Sequence, residues 1–170
     1  MGKGMKIVWI ALLSTLLVSC STSEEKQMFE KEYGAEPYTG EKVVLTPEEW
    51  KERLSPQAFF VLREHGTEPA NTEPYFESKE PGVYLCAGCQ LPLFSSEDKF
   101  DSGTGWPSFT KPINPSHVGY SIDRKLFTER VEVHCNRCDG HLGHVFNDGP
   151  RPTGHRYCIN SVALQFEPLR

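Results

Sequence analysis

The chain has 170 residues, six cysteines and a formal net charge of −5 at pH 7. Mild acidity without a basic stripe excludes nucleic acid as the expected partner. The portion beyond the N-terminal stretch, about 130 residues, suffices for one domain with a real core.

The first elements are not part of that core. Lys3 and Lys6 precede an apolar run from Ile7 to Val18. The run is shorter than the roughly 20 residues of a membrane-spanning helix, and a basic flank before a short apolar core describes an export signal over residues 1–19. Leu17-Val18-Ser19-Cys20 resembles the lipobox of bacterial lipoproteins. That resemblance implies a lipidated Cys20 as the new N-terminus, holding the protein to a cell-envelope membrane. An ordinary cleaved signal that happens to contain a cysteine is the alternative. Residues 20–42, rich in Glu, Lys and Ser, read as a solvated tether, which leaves 43–170 as the domain.

Thr46-Pro47-Glu48-Glu49 is a helix start, with Thr46 as N-cap and Glu49 as its reciprocal partner. Trp50 and Leu54 share one side of that short helix. Ser55-Pro56 begins a second helix, whose apolar side is expected to carry Phe59, Phe60 and Leu62 and whose end is expected at Gly66. Gly66 to Pro69 and the Asn/Thr/Pro stretch after them read as a long loop.

Gly82-Val83-Tyr84-Leu85 reads as a strand entering Cys86-Ala87-Gly88-Cys89, and Val131-Glu132-Val133-His134 as a strand entering Cys135-Asn136-Arg137-Cys138. Each knuckle presents two sulfurs toward one point, and two such knuckles match a four-thiolate structural zinc site. The expected ligands are Cys86, Cys89, Cys135 and Cys138, with His134 as the one substitute. Two disulfides, or a thioredoxin-like redox pair, are the rival readings in an oxidising compartment.

Between the knuckles, two glycines and Pro107 surround Trp106 in a loop that holds an indole in a defined place. A binding contact and a core cap are both open there, since indole faces attract cations and touch sulfur favourably. Residues 118–134 read as a hairpin turning near Asp123-Arg124, with no chemistry, and His117 is incidental. Beyond it, His141, His144 and Asp148 are equipment for proton transfer near neutral pH, or for a second metal. The last strand puts Arg156, Cys158 and Asn160 on one face and Tyr157 and Ile159 on the other. A cation beside a thiol favours the thiolate, which is the nucleophile. A buried structural cysteine is the plainer alternative.

Taken together the motifs resemble the B-type methionine sulfoxide reductases, which act on the R epimer of methionine sulfoxide. The likeness runs through Lys42-Val43-Val44, Arg63 to Glu68, both knuckles, Lys99 to Phe109, His141 to Phe146, Asp148-Gly149-Pro150 and Arg156 to Ser161. It implies a mainly β fold of two antiparallel sheets with short N-terminal helices, and one structural Zn2+ away from the active site. It also implies that Cys158 attacks the sulfoxide sulfur and that His144, with His141 beside it, protonates the departing oxygen. Asp148 and Arg156 are then expected to hold the histidine and thiolate charges, and Asn160 to orient the site. Trp106, with Phe146, is expected to grip the substrate's methyl group. The products are methionine and a Cys158 sulfenic acid.

Many members of that family carry a resolving cysteine where Thr104 stands here. Four cysteines are assigned to zinc, Cys20 to lipid and Cys158 to catalysis, so the expected reductant is an external, thioredoxin-like protein or small thiol. No long apolar stripe suggests an obligate dimer, and a monomer is expected. Two other readings stay open: a lipid-anchored zinc-ribbon binding module, and an exported thiol–disulfide exchanger.

Overall fold

A computed structural model describes residues 38–71, 75, 77–125 and 128–169. The export signal, Cys20 and most of the tether lie outside the described residues.

Two short helices open the domain, α1 (Pro47–Arg53) and α2 (Pro56–Glu64). The α1 start is a capping box: the Thr46 hydroxyl accepts from the Glu49 backbone N–H, and a Glu49 carboxylate oxygen accepts from the Thr46 N–H at 2.7 Å. Ser55 caps α2 by accepting from the Ala58 N–H at 3.1 Å. The buried side of α2 is Ala58, Val61 and Leu62, the three- and four-residue spacing of a helix face. Phe60, expected inside, is 47% exposed and lies over Gly66. The end of α2 also differs from expectation. His65, not Gly66, takes the left-handed conformation, with φ 55°.

Among the described residues nine strands form two sheets, and every pairing between them is antiparallel. The smaller has the order β2-β1-β9, with β1 (Gly82–Cys86), β2 (Pro92–Ser95) and β9 (Leu164–Pro168). The larger runs β3-β4-β8-β7-β6-β5. Its members are β3 (Lys99–Phe100), β4 (Ser108–Phe109), β5 (Val118–Asp123), β6 (Arg130–Cys135), β7 (His141–Phe146) and β8 (Arg156–Ile159). The expected hairpin is the β5–β6 pair.

Because side chains alternate along each strand, the register sorts the large sheet into two faces. Across one face run Phe109, Tyr157, Val145, Val131 and Ile122. Across the other run Ser108, Cys158, His144, Glu132 and Ser121. The apolar face meets the small sheet through an aromatic seam. Phe94 stacks on Phe109 at 4.5 Å between ring centroids, and Tyr84 meets Phe109 edge-on at 5.0 Å. Phe94 and Phe109 are fully buried, and such side chains each contribute roughly 1.5–3 kcal/mol through burial. The chain's three methionines, Met1, Met5 and Met28, all precede the described residues, and the core of the described residues is built from aromatic and aliphatic side chains together with the four knuckle cysteines.

Candidate active site

Cys158 stands in the polar row of the large sheet, with Ser108 directly opposite on β4 and His144 directly opposite on β7. Directly opposed residues have Cβ atoms about 4.5–5.5 Å apart, so the thiol is held between a hydroxyl and an imidazole. The two strands come together closely because position 143 is glycine, where a Cβ would sit 2.1 Å from the Cys158 carbonyl oxygen. The thiol is half-buried at a cleft of about 130 Å³, lined among others by Trp106, Arg130, His144, Phe146 and Asn160. Larger hollows exist on the surface, but none of those described holds a thiol.

On the β4 side, three hydroxyls are linked. Ser102 Oγ lies 2.8 Å from Thr104 Oγ1 and 2.7 Å from Ser108 Oγ, and Thr104 Oγ1 lies 3.9 Å from Cys158 Sγ. Burial pushes the Cys158 thiol up from its ordinary value, and the Thr104 hydroxyl, Arg156 and Ser108 offset this only in part. This corrects the expectation from Arg156 alone. Loss of water outweighs the neighbouring cation, so the shift runs against the thiolate.

His144 is held by a residue the sequence did not single out. Its Nε2 meets Asp123 Oδ2 at 2.8 Å, and Arg130 Nη2 donates to the same carboxylate oxygen at 2.7 Å. Burial opposes ionisation of Asp123, yet the contacts with His144, the Lys125 backbone N–H and Arg130 hold its carboxyl well below the usual range. Burial likewise lowers His144, with Asp123 opposing. A neutral imidazole with its proton on Nε2, facing a carboxylate that can only accept, has Nδ1 as its acceptor. His141 is positioned in the same way by Glu132, whose Oε1 lies 2.6 Å from His141 Nδ1. A shift in the β6–β7 register between Val133 and His134 brings His141 into this arrangement.

Asp148 does not touch either histidine. It is exposed and binds Arg156 through two parallel bonds, from Nε and Nη2, each 2.8 Å. The expected histidine partner is therefore corrected to Asp123, and Asp148 instead orients the guanidinium, which lies 4.3 Å over the Phe146 ring. The hairpin expected to carry no chemistry supplies Asp123, Arg130 and Glu132.

Trp106 is fixed from two directions. Its indole N–H donates to the Glu68 carbonyl at 3.2 Å. The preceding Gly105 has φ 84°, and a side chain there would strike Asn71. Glu68, buried and also missed from the sequence, ties the walls of the cleft together. Its carboxylate accepts the N–H groups of Ser161 at 2.6 Å and Val162 at 2.9 Å, and its own N–H donates to Asn160 Oδ1 at 3.1 Å. The Asn160 amide donates in turn to the Leu142 carbonyl at 2.9 Å. Glu68→Gln keeps the volume but removes the charged acceptor from two buried donors, at a cost of about 2–3 kcal/mol. For a domain of this size a fall in Tm of roughly 5–10 °C is expected by calorimetry. A Tm within about 1 °C of wild type would show that the carboxylate does not hold this corner.

The four knuckle cysteines form a separate, buried group. Cys86 and Cys138 sulfurs are 3.7 Å apart, and Cys89 and Cys135 sulfurs 3.5 Å. A disulfide requires about 2.05 Å, whereas four sulfurs at about 2.3 Å from a tetrahedral zinc are about 3.8 Å from one another. The knuckles have the same turn. Cys86 N–H donates to Leu91 C=O and Cys135 N–H to Gly140 C=O, and each turn passes through a left-handed residue, Gln90 or Asp139. Arg63 and Arg137 brace the loops by donating to the Cys138 and Cys89 carbonyls. The donor set and spacing fit a tetrahedral soft or borderline ion.

Residues 54–168 match the family described as the SelR domain. The chain is 50% identical over 131 residues to the peptide methionine sulfoxide reductase MsrB of Agrobacterium fabrum, covering 77% of this chain and 97% of that protein. It is 54% identical over 125 residues to the MsrB of Methanosarcina barkeri, covering 74% and 88%. It is 51% identical over 136 residues to the mitochondrial methionine-R-sulfoxide reductase B2 of Rattus norvegicus, covering 76% and 78%.

Proposed function

The chain belongs to the SelR-domain family, the B-type methionine sulfoxide reductases, and we propose that it reduces the R epimer of methionine sulfoxide, free or in proteins, to methionine. The observation that carries this reading is the Cys158 sulfur set directly across β7–β8 from a carboxylate-held histidine.

The proton balance follows from that pairing. As the Cys158 sulfur attacks the sulfoxide sulfur, its proton passes to His144 Nδ1 and from there to the sulfoxide oxygen. The sulfur–oxygen bond of the substrate breaks and the oxygen ends on Cys158 as a sulfenic acid. The methionine sulfur gains two electrons and the cysteine sulfur loses two. Arg156, oriented by Asp148, favours the negative charge that appears on Cys158 during the transfer. Trp106 and Phe146 form the apolar walls against which the methyl group packs, and the positive character developing on the substrate sulfur favours an indole face. His141 supports His144 at a ring-centroid distance of 5.4 Å, while Asn160 and Glu68 keep the cleft in shape.

Thr104 occupies the position beside Cys158 from which a second thiol would act. Recycling is therefore assigned to an external thiol, thioredoxin-like or small, which condenses with the sulfenic acid to release water; a second thiol then attacks the external sulfur of that mixed disulfide, forming the reductant's disulfide and releasing Cys158 as the thiol. Cys86, Cys89, Cys135 and Cys138 would hold one structural Zn2+, which cross-links the two knuckles. The run Ile7–Val18 followed by Cys20 supports an exported, lipid-anchored form that repairs oxidised envelope proteins. The domain is read as a monomer.

Purified zinc-loaded protein with dithiothreitol is expected to consume the R epimer and spare the S epimer. After one turnover without reductant, a dimedone adduct is expected on Cys158 by mass spectrometry. A disulfide from Cys158 to a knuckle cysteine would contradict the recycling route, and an untouched R epimer would remove the activity.

A further inference from the structure

Beside the cleft stands a group of side chains that the reaction draws on only through His141, the neighbour of His144. His65 Nδ1 and His141 Nδ1 approach the same Glu132 oxygen, at 2.9 and 2.6 Å, and the donor atoms of the three residues lie within 4.8 Å of one another. The second Glu132 oxygen takes the Ser121 hydroxyl. We propose that His65, Glu132 and His141 form a second metal site, distinct from the cysteine cluster, that takes one divalent ion of zinc-like softness (Zn2+, Co2+ or Ni2+) with water completing its shell.

The donor chemistry selects that class. Two imidazole nitrogens and one carboxylate oxygen suit open zinc-type sites, whereas Mg2+ and Ca2+ take oxygen shells. Glu132 presents one carboxylate oxygen to both imidazoles while the other is held by the Ser121 hydroxyl. Ligands about 2.1 Å from a tetrahedral ion are about 3.4 Å apart, so each nitrogen need withdraw from Glu132 by less than about 1 Å. His65, with a side chain 46% exposed, can make that adjustment.

The surroundings provide a way in. The three residues line an open hollow of about 590 Å³. Two of its cations are already paired, Arg130 with Asp123 at 2.7 Å and Arg124 with Glu129 at 3.2 Å. The backbone gives a second, independent indication. His65 ends α2 at φ 55°, a conformation that costs a residue with a side chain roughly 1–2 kcal/mol. Strain of that kind collects at functional positions, and here it aims an imidazole at Glu132.

An ion at this site also has a consequence for turnover, one that rests on the proposed reductase activity. Glu132 is the direct cross-strand partner of His144, so drawing Glu132 and His141 onto a metal disturbs the histidine that handles the proton. Bound metal is thus a brake on the reaction.

The binding claim is tested without reference to activity. Zinc-loaded full-length Cys158→Ser protein, in which the cleft thiol cannot ligate, is titrated with Zn2+ by calorimetry. One further ion per chain is expected, and its affinity should fall at least tenfold in His65→Gly and in His65→Asn, both of which suit the left-handed backbone. No further ion bound by the zinc-loaded parent, or unchanged binding in either folded variant, would overturn the site. In the protein with Cys158 intact, micromolar Zn2+ should slow reduction severalfold, and His65→Gly should lose that inhibition relative to its own rate without added metal. Equal inhibition in both would overturn the brake.

Discussion

Cys158→Ser should lower kcat/KM for methionine-R-sulfoxide by a thousandfold or more, roughly the scale on which other enzymes fail when their nucleophile is removed. The hydroxyl fits the same half-buried position between Ser108 and His144, so Tm and zinc content should stay near wild type. That separation of effects distinguishes a reductase from its rivals. A zinc-ribbon binding module has no turnover to lose, and a thiol–disulfide exchanger working through one knuckle keeps its activity when position 158 changes. Residual reduction within about tenfold of wild type would mean that another group attacks the sulfoxide.

Removal of the zinc site should produce the largest stability effect. Cys135 is fully buried at the end of β6 and its knuckle is braced against the other through the sulfur cluster. Structural zinc contributes about 10–16 kcal/mol in small zinc-binding peptides, whereas whole domains are stable by only about 5–15 kcal/mol. Even a fraction of that contribution is comparable with the entire margin. Cys135→Ser, or exhaustive chelation of the wild type, is therefore expected to lower Tm by more than about 15 °C or to leave the domain unfolded at 25 °C. Calorimetry together with metal analysis decides the matter. A zinc-free protein melting within about 2 °C of the untreated sample would remove the structural role.

What could be read from the sequence was local in the chain. The capping box at Thr46 closes over three residues, and each Cys-x-x-Cys turn is complete within a few, so residue order alone reveals them. The alternation around Cys158 likewise separated Tyr157 and Ile159 from Cys158 because a strand has only two faces. The carboxylate partners were not legible in the same way. Asp123 is 21 residues from His144, and Glu68 is 94 residues from Val162. Which acid meets which base is set by the register of whole sheets, and Asp148, nearer in sequence to His144, turned instead to Arg156. The state of the thiol was hidden for a related reason. The neighbouring cation is visible in the sequence, but the water excluded by packing is not, and exclusion is the stronger effect. The end of α2 illustrates a third limit, since a glycine is the usual left-handed stop and here a histidine one position earlier takes that role.

The absence of thioethers from the described residues has a consequence for a methionine sulfoxide reductase. Oxygen added to a buried methionine turns an apolar filler into a polar one and loosens the packing around it. Met1, Met5 and Met28 all precede the described residues, and the buried core of those residues holds no thioether in which that lesion could accumulate. Its sulfurs are also unequally exposed: the four knuckle sulfurs are sealed in, and Cys158 alone among the described cysteines is partly open to solvent. An oxidant arriving from solvent thus meets Cys158 first, and in the proposed reaction a sulfenic acid at that sulfur is the species an external thiol returns to the thiol.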